Sequence, residues 1–306
     1  WNEFEAAYMS EDGYSPEGRH MSEIAEPDDM VGYWLTMEIT ANLDSVTHSR
    51  YSYLDVGYRL RMGPVWDFDF SAGCAYNVKD PEKWYLGGLG KVCVSKYLFG
   101  NWVNDPWLCL RAWEKYWQMR EAIGKAIAED GTLDGYAAYL RESGVVNSML
   151  WPIPQSDVQP TPLNFLDDES YLKSYMMSRM TWLDAQFANL DVLVKSLKNL
   201  YVKDDTVLSI SLGNGGDAGE TDAATDFALN RGEKAPQVKV TVANDVIVKL
   251  HAYVNGLKYG IYDVADGKCE FTVSADKLVA ERGHRDMVSL IAKDADGKTV
   301  ARNYLT

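Results

Sequence analysis

The spacing of apolar residues changes near residue 203, and this change limits the chain to folds with two unlike parts. All ten tryptophans lie between Trp1 and Trp182. The first part has long segments with apolar residues at helical spacing, whereas the second alternates over short runs. A chain of 306 residues also has the length of about two domains. We therefore predict an α+β protein with one domain over residues 1–202 and another over 203–306.

Residues 203–306 show the pattern of an all-β domain. Seven short runs are rich in β-branched and aromatic residues, and Asn-Gly, Asp-Gly or Asn-Asp pairs separate several of them. This pattern is typical of a β-sandwich of about 100 residues, and we predict an immunoglobulin-like (Ig-like) sandwich. The predicted strands are Val207–Leu212, Val238–Val242, Val246–Tyr253, Gly260–Tyr262, Glu270–Val273, Val288–Ala292 and Thr299–Tyr304.

Helix signals dominate the first part. Pro27, followed by Asp28 and Asp29, suits the first turn of a helix, and apolar residues then recur at helical spacing to about Asn42. Residues 1–26 contain Gly and Pro breakers and are predicted to be irregular. Residues 71–103 and 151–163 are predicted loops. Further helices are predicted over 106–129, over 133–142, and from Asp167 or Asp168 through Leu190.

Two acidic motifs lie on either side of a predicted hairpin. Asp44 follows the first predicted helix, and the stretch GPVWDFD at 63–69 places Asp67 and Asp69 on one face if it is extended. Predicted strands over 50–53 and 58–62 would return the chain so that Asp67 approaches Asp44. Phosphotransfer chemistry uses this layout, with one carboxylate orienting the attacking hydroxyl and another holding the magnesium that bridges the phosphates.

Longer motifs surround these aspartates. They are YWLTME at 33–38, NLD at 42–44, SRYSY at 49–53 and GPVWDFD at 63–69, followed by Asp105-Pro106, Trp151-Pro152 and RMTWL at 179–183. Together they resemble the CotH kinase family, which includes spore-coat protein kinases and many secreted bacterial relatives with an atypical protein-kinase-like fold. The resemblance covers residues 30–190, and GPVWDFD is its most specific part.

The resemblance implies a mainly helical kinase-like C-lobe with short strands that transfers phosphate from ATP to Ser or Thr of a protein. Asp44 would be the catalytic residue that orients the hydroxyl. Asp67 would bind the magnesium of the nucleotide, and Asp69 would be the second metal ligand. Ser49 would belong to the cofactor site, because it stands five residues after Asp44, where protein kinases have the Asn that binds a second metal.

One departure from the family pattern concerns the start of the chain. Family members carry an N-terminal lobe whose basic residues contact the nucleotide phosphates. Residues 1–30 show neither a strand-borne Lys nor a Gly-rich loop. We therefore expect a C-lobe without its N-lobe, followed by the sandwich. Positioning and charge stabilisation supply most of phosphoryl-transfer catalysis, so we expect weak activity or none from the chain by itself.

The net charge of −15 bears on the partners. Residues 1–202 contain 17 basic and 29 acidic side chains, and residues 203–306 contain 13 and 16. An acidic surface repels nucleic acid and anionic lipid, and it favours a basic protein substrate with Ser or Thr. The sequence contains no apolar run long enough to cross a bilayer. We expect a secreted or cell-surface bacterial monomer.

Other interpretations of the same residues stay open. Asp44 also suits the cap of a local turn, and Asp67 and Asp69 also suit the surface end of a strand. The first domain could be a catalytically inactive kinase-like module that serves as a cell-surface binding or structural unit. A third interpretation is a carboxylate-metal hydrolase acting on carbohydrate, because Trp66, Trp84 and other aromatic residues could stack on sugar rings.

Overall fold

The computed structural model shows an α+β protein. It describes residues 1–46, 48–54, 56–57, 59–86, 104–152, 165–212, 236–278 and 285–306. The helices are α1 (Asn2–Met9), α2 (Met21–Ile24), α3 (Pro27–Ile39), α4 (Pro106–Ile127), α5 (Thr132–Leu150), α6 (Phe165–Gln186) and α7 (Leu190–Ser196). The strands are β1 (Ser52–Tyr53), β2 (Arg61–Met62), β3 (Leu208–Leu212), β4 (Gln237–Val242), β5 (Lys249–Val254), β6 (Leu257–Asp263), β7 (Lys268–Thr272), β8 (Val288–Lys293) and β9 (Thr299–Leu305).

The chain forms two compact units. The sheet unit consists of Trp1–Ser22, Val103–Glu114 and Lys198–Thr306, and the helical unit consists of Glu23–Trp102 and Lys115–Leu197. Each unit combines segments that are separated in the sequence. The division into sequence domains 1–202 and 203–306 therefore stays a prediction. The predicted loops at 71–103 and 151–163 fall partly on residues 87–103 and 153–164, which lie outside the described residues.

The sheet unit contains all seven strands that the second part of the sequence predicts. They form two antiparallel sheets, in the orders β3-β4-β7 and β6-β5-β8-β9, and side chains of both sheets share one apolar core. The Asn255-Gly256 pair joins β5 to β6 with φ of 51° and 79°, as a two-residue hairpin turn requires. The Ig-like assignment of this region stays a prediction.

Helix α3 confirms the helix predicted from Pro27 and ends with a defined capping motif. Ala41 has a φ of 53°, its N–H bonds to the carbonyl of Glu38, and the N–H of Asn42 bonds to the carbonyl of Met37. These two bonds form the Schellman pattern, which stops a helix and turns the chain sharply. The end of α3 therefore fixes where the following NLD motif lies.

A buried ion pair anchors α3 in the helical unit. Arg179 of α6 donates to Glu38 Oε1 at 2.6 Å and to the carbonyl of Glu38 at 2.8 Å. Arg179 also donates to the carbonyls of Pro81 and Lys83. The backbone N–H groups of residues 85 and 86 donate to the Glu38 carboxylate at 2.8 and 2.6 Å. These bonds fix the segment 81–86 against the last turns of α3.

The hairpin after α3 is present but shorter than predicted. Strands β1 and β2 pair over two residues each, with Ser52 opposite Met62 and Tyr53 opposite Arg61. The N–H of Gly63 donates to the carbonyl of Tyr51 at 3.0 Å and closes the hairpin, and the Gly63-Pro64 peptide bond is cis. The hairpin nevertheless returns the chain towards the end of α3.

Two helix predictions are wrong in detail. Residues 1–26 are not irregular throughout, because α1 buries Phe4, Ala7 and Tyr8 at helical spacing ahead of the Gly and Pro breakers. The predicted helix through Leu190 is two helices. It stops at Gln186, and Asn189 caps α7 by accepting a hydrogen bond from the N–H of Val192 at 2.9 Å.

Helix α5 extends eight residues beyond its predicted end at 142. Gly144 lies inside this helix and faces the ring of Phe165 at the start of α6, where a side chain would collide. Among the described helices, none combines the length and the apolar character needed to cross a bilayer.

Candidate functional site

The structure brings Asp44, Ser49 and Asp67 into direct contact. The Ser49 hydroxyl lies 2.6 Å from Asp44 Oδ2 and 2.8 Å from Asp67 Oδ2. Ser49 is buried, whereas the side chain of Asp44 is 29% exposed and Asp67 is half-buried. The three predicted site residues therefore form a cluster in which both carboxylates remain open to solvent on one side.

Asp44 begins a short 3-10 turn that follows α3. Its carbonyl accepts hydrogen bonds from the N–H groups of His48 and Ser49, both at 3.0 Å. His48 Nδ1 lies 3.2 Å from Asp44 Oδ1, and the imidazole is 83% exposed. Each oxygen of this carboxylate thus has a polar neighbour. The contact with His48 is not among the sequence-based predictions, although a spacing of four residues from an acid is a signal for such a pair.

Asp67 is held in an uncommon backbone conformation. Its φ is 63°, in the left-handed region that non-glycine residues seldom adopt. The carbonyl of Asp67 accepts a hydrogen bond of 2.7 Å from Nδ2 of Asn42, which is fully buried. The sequence places Asn42 in the NLD motif but does not indicate this role. Residues in such conformations persist only where their surroundings hold them, and they cluster at functional sites.

Asp69 is exposed and lies beside Asp67. Partial desolvation, and then the hydrogen bonding and negative charge of the Asp67 carboxyl, raise the pKa of Asp69 above its ordinary value. The two carboxyl groups are therefore close enough for the ionisation of one to disfavour that of the other. A cation or a shared proton would relieve this repulsion.

The number of donor protons in the cluster also favours an additional proton or a cation. The Ser49 hydroxyl has one proton, yet carboxylate oxygens lie at hydrogen-bond distance on two sides. It can donate to only one of them at a time, so the other contact is favourable only with an additional proton or cation. In the described part of the chain, no three or more His, Cys, Asp or Glu side chains are grouped so that they could hold a metal ion. A metal bound by Asp67 and Asp69 would therefore need further ligands from a substrate or from water.

Apolar side chains border the cluster on the GPVWDFD loop. Val65, Trp66, Phe68 and Phe70 are all exposed, and Trp66 makes an edge contact with Tyr51 at 6.2 Å between ring centroids. Trp84, another of the aromatic residues predicted to stack on sugar rings, behaves differently. Trp84 packs at 6.0 Å against Trp34 and at 5.2 Å against Trp182, so its rings are committed to the core.

Comparisons of the chain with protein-family models, with curated proteins and with solved structures found no match.

Proposed function

We propose that the chain is a CotH-like phosphotransferase that uses ATP and Mg²⁺ to phosphorylate Ser or Thr of secreted or cell-surface proteins. The observation that carries the proposal is the contact of one buried hydroxyl, Ser49, with both Asp44 and Asp67 at 2.6 and 2.8 Å. Ser49 and Asp67 are 18 positions apart in the chain and meet there. The proposed site needs one carboxylate that orients the hydroxyl and one that binds the metal, close to each other.

Asp44 is suited to orient an acceptor hydroxyl. Its Oδ2 already has a hydroxyl at 2.6 Å, which is the distance at which a carboxylate accepts a strong hydrogen bond. In the proposed reaction the acceptor oxygen forms a bond to the γ-phosphorus and its proton passes to Asp44. The bond between the γ-phosphorus and the bridging oxygen breaks, and ADP leaves.

The residues present fit a magnesium ion. Mg²⁺ prefers oxygen ligands and is usually held by one or two carboxylates together with substrate phosphates and water. Asp67 and Asp69 offer two carboxylates one residue apart, and both are at least partly open to solvent. Bound Mg²⁺ would offset the charge of the phosphates. Ser49 is a weaker ligand than the Asn of protein kinases, so its proposed part in the cofactor site is to link the two carboxylates.

The proposal also includes the type of each domain, the substrate class and the oligomeric state. They are a kinase-like C-lobe for the helical part, an Ig-like sandwich for the sheets, a basic protein substrate and a monomeric state. The formal charge of −15 favours a basic partner through long-range attraction.

A catalytically inactive surface-binding module is the second candidate. The observation that favours it is the row of exposed apolar side chains at Val65, Trp66, Phe68 and Phe70, because contiguous exposed apolar surface often marks a binding site for another macromolecule.

One set of variants separates the two candidates. We expect Mg²⁺ with ATP to raise the melting temperature of the wild type and of Asp44→Asn, but not of Asp67→Asn. Phosphate transfer to a basic Ser/Thr-containing protein should be lost in both variants. Asp245→Asn, which changes an exposed carboxylate in a turn, is the control and should match the wild type. Because we expect weak activity or none from the chain by itself, binding decides between the candidates: a wild type whose melting temperature does not respond to Mg²⁺ with ATP would exclude the kinase and leave the binding module.

A further inference from the structure

One amide side chain connects the two segments that carry the candidate carboxylates. Asn42 Nδ2 donates to the carbonyl of Asp67 at 2.7 Å, across 25 residues of chain. Asn42 Oδ1 accepts from the N–H of Ser45 at 3.2 Å, and the carbonyl of Asn42 accepts from the Ser45 hydroxyl. Ser45 lies directly after Asp44. Asn42 is therefore bonded both to the turn of Asp44 and to the loop of Asp67.

The chemistry of these bonds requires a carboxamide. An Asn side chain has a donor and an acceptor on the same carbon, whereas an ionised Asp only accepts and a Ser has a single hydroxyl. Asn42 is fully buried, so water cannot replace either bond if it is lost. The backbone of Asn42 is also fixed, because its N–H forms the bond to Met37 that ends α3.

The bond to Asp67 falls where the backbone needs support. Asp67 has a φ of 63°, and the direction of its side chain depends on that conformation. Without the hydrogen bond to its carbonyl, Asp67 could relax towards a negative φ, and its carboxylate would then leave Ser49 and Asp44. The distance between the two carboxylates thus depends on a residue that touches neither carboxylate.

We propose that Asn42 is a positioning residue that sets the spacing between Asp44 and Asp67 and thereby the affinity of the site for a divalent cation. The inference rests on the proposed function, because it assigns Asn42 a part in the same magnesium site. Asn42 acts through the backbone of Asp67, in the way that outer groups hold the ligands of metal sites.

The test compares Asn42→Asp and Asn42→Ser with the wild type and with Asn303→Asp. Asn303 is the control, because it is also fully buried, donates to the carbonyl of Leu208 and accepts from the N–H of Tyr304, and it further donates to Asp205, which lies outside the candidate site. Two quantities are measured for each protein. They are the Mg²⁺ concentration that gives half of the melting-temperature shift with a non-hydrolysable ATP analogue, and the Mg²⁺ concentration that gives half-maximal phosphate transfer.

We expect both Mg²⁺ concentrations to rise by about 10- to 100-fold in Asn42→Asp and to rise less in Asn42→Ser. Asn303→Asp should melt at a lower temperature with unchanged Mg²⁺ dependence. Asn42 variants that fold and keep the wild-type Mg²⁺ dependence would overturn the inference alone. Failure of both Asn42 variants to fold would assign Asn42 to stability only and would also overturn it. A wild type without any Mg²⁺ or nucleotide response would instead overturn the proposed function, and the inference with it.

Discussion

The guanidinium of Arg179 donates to the carboxylate of Glu38 at 2.6 Å, and the two side chains are only 0% and 1% exposed. Arg179 also donates to backbone carbonyls, and Glu38 accepts from two backbone N–H groups. Because α3 leads directly into the site, this pair fixes the helix end from which Asn42 and Asp44 follow. Removing one member would leave the other charged, buried and unpaired.

We expect Arg179→Lys to lower the free energy of unfolding by about 1–3 kcal/mol, because a lysine cannot reproduce the fork of donors and leaves buried acceptors around Glu38 without a hydrogen bond. The control is Arg120→Lys, which weakens a partly exposed pair with Asp184 and should cost about 1 kcal/mol or less. Urea denaturation measures both values. Equal costs for the two variants would show that burial of the Glu38 pair has no special effect.

The Ser49 hydroxyl should stabilise the site most when no cation is present. We expect Ser49→Ala to lower the free energy of unfolding by about 1–3 kcal/mol in Mg²⁺-free buffer, because Asp44 and Asp67 then lose the hydroxyl between them. Added Mg²⁺ should recover part of this loss. Ser71→Ala is the control, since Ser71 donates only to the neutral carbonyl of Phe68 and its effect should not depend on Mg²⁺. A loss in Ser49→Ala that is indifferent to Mg²⁺ would contradict a cation site.

Glu11 should add stability that depends on pH. The hydrogen bond from Thr299 foremost, and then Lys293 and Arg302, hold the pKa of Glu11 below its usual value of 4.5. A lowered pKa in the folded state contributes stability above the pKa of the unfolded state, and that stability is lost as the pH falls through the folded value. We therefore expect Glu11→Gln to be less stable than the wild type at pH 6, with the difference shrinking as the pH falls below the usual pKa of 4.5. Unfolding measured from pH 7 to pH 3 tests this, and a difference that grows with acid would reverse the sign.

The thiol of Cys109 should be unreactive until the protein unfolds. Burial foremost, and then the negative charge of Asp105, raise the pKa of Cys109 well above its ordinary value. Alkylation requires the thiolate and access to solvent, and the folded protein provides neither here. We expect iodoacetamide at pH 8 to modify Cys74, which is only partly buried, before Cys109, as mass spectrometry of peptides would show. Rapid modification of Cys109 without denaturant would contradict the buried position.

Sequence patterns predicted those parts of the protein that depend on local chemistry. The helix predicted from Pro27 and the hairpin turn predicted at Asn255-Gly256 are both present, because each depends on the backbone conformation that its own residues prefer. The approach of Asp67 to Asp44 followed from the hairpin between them. The contacts of Asn42 could not be predicted, because they depend on the capping motif at Ala41 and on the φ of Asp67. The break at Asn189 was missed because apolar spacing continues across it, and the capping bond is visible only in the structure.

The candidate site residues lie close together in the sequence, and this affects how insertions and deletions can alter the spacing of the carboxylates. Asp44, Ser49, Asp67 and Asp69 come from 26 consecutive residues, and the Ser49 hydrogen bonds to Asp44 and Asp67 span 5 and 18 positions. Closing loops of this size costs little chain entropy, and the cost grows slowly with length. Insertions or deletions between β1 and β2 are therefore a ready route to new spacings of the carboxylates. They would move Asp67 while α3 and its buried anchor stay as they are.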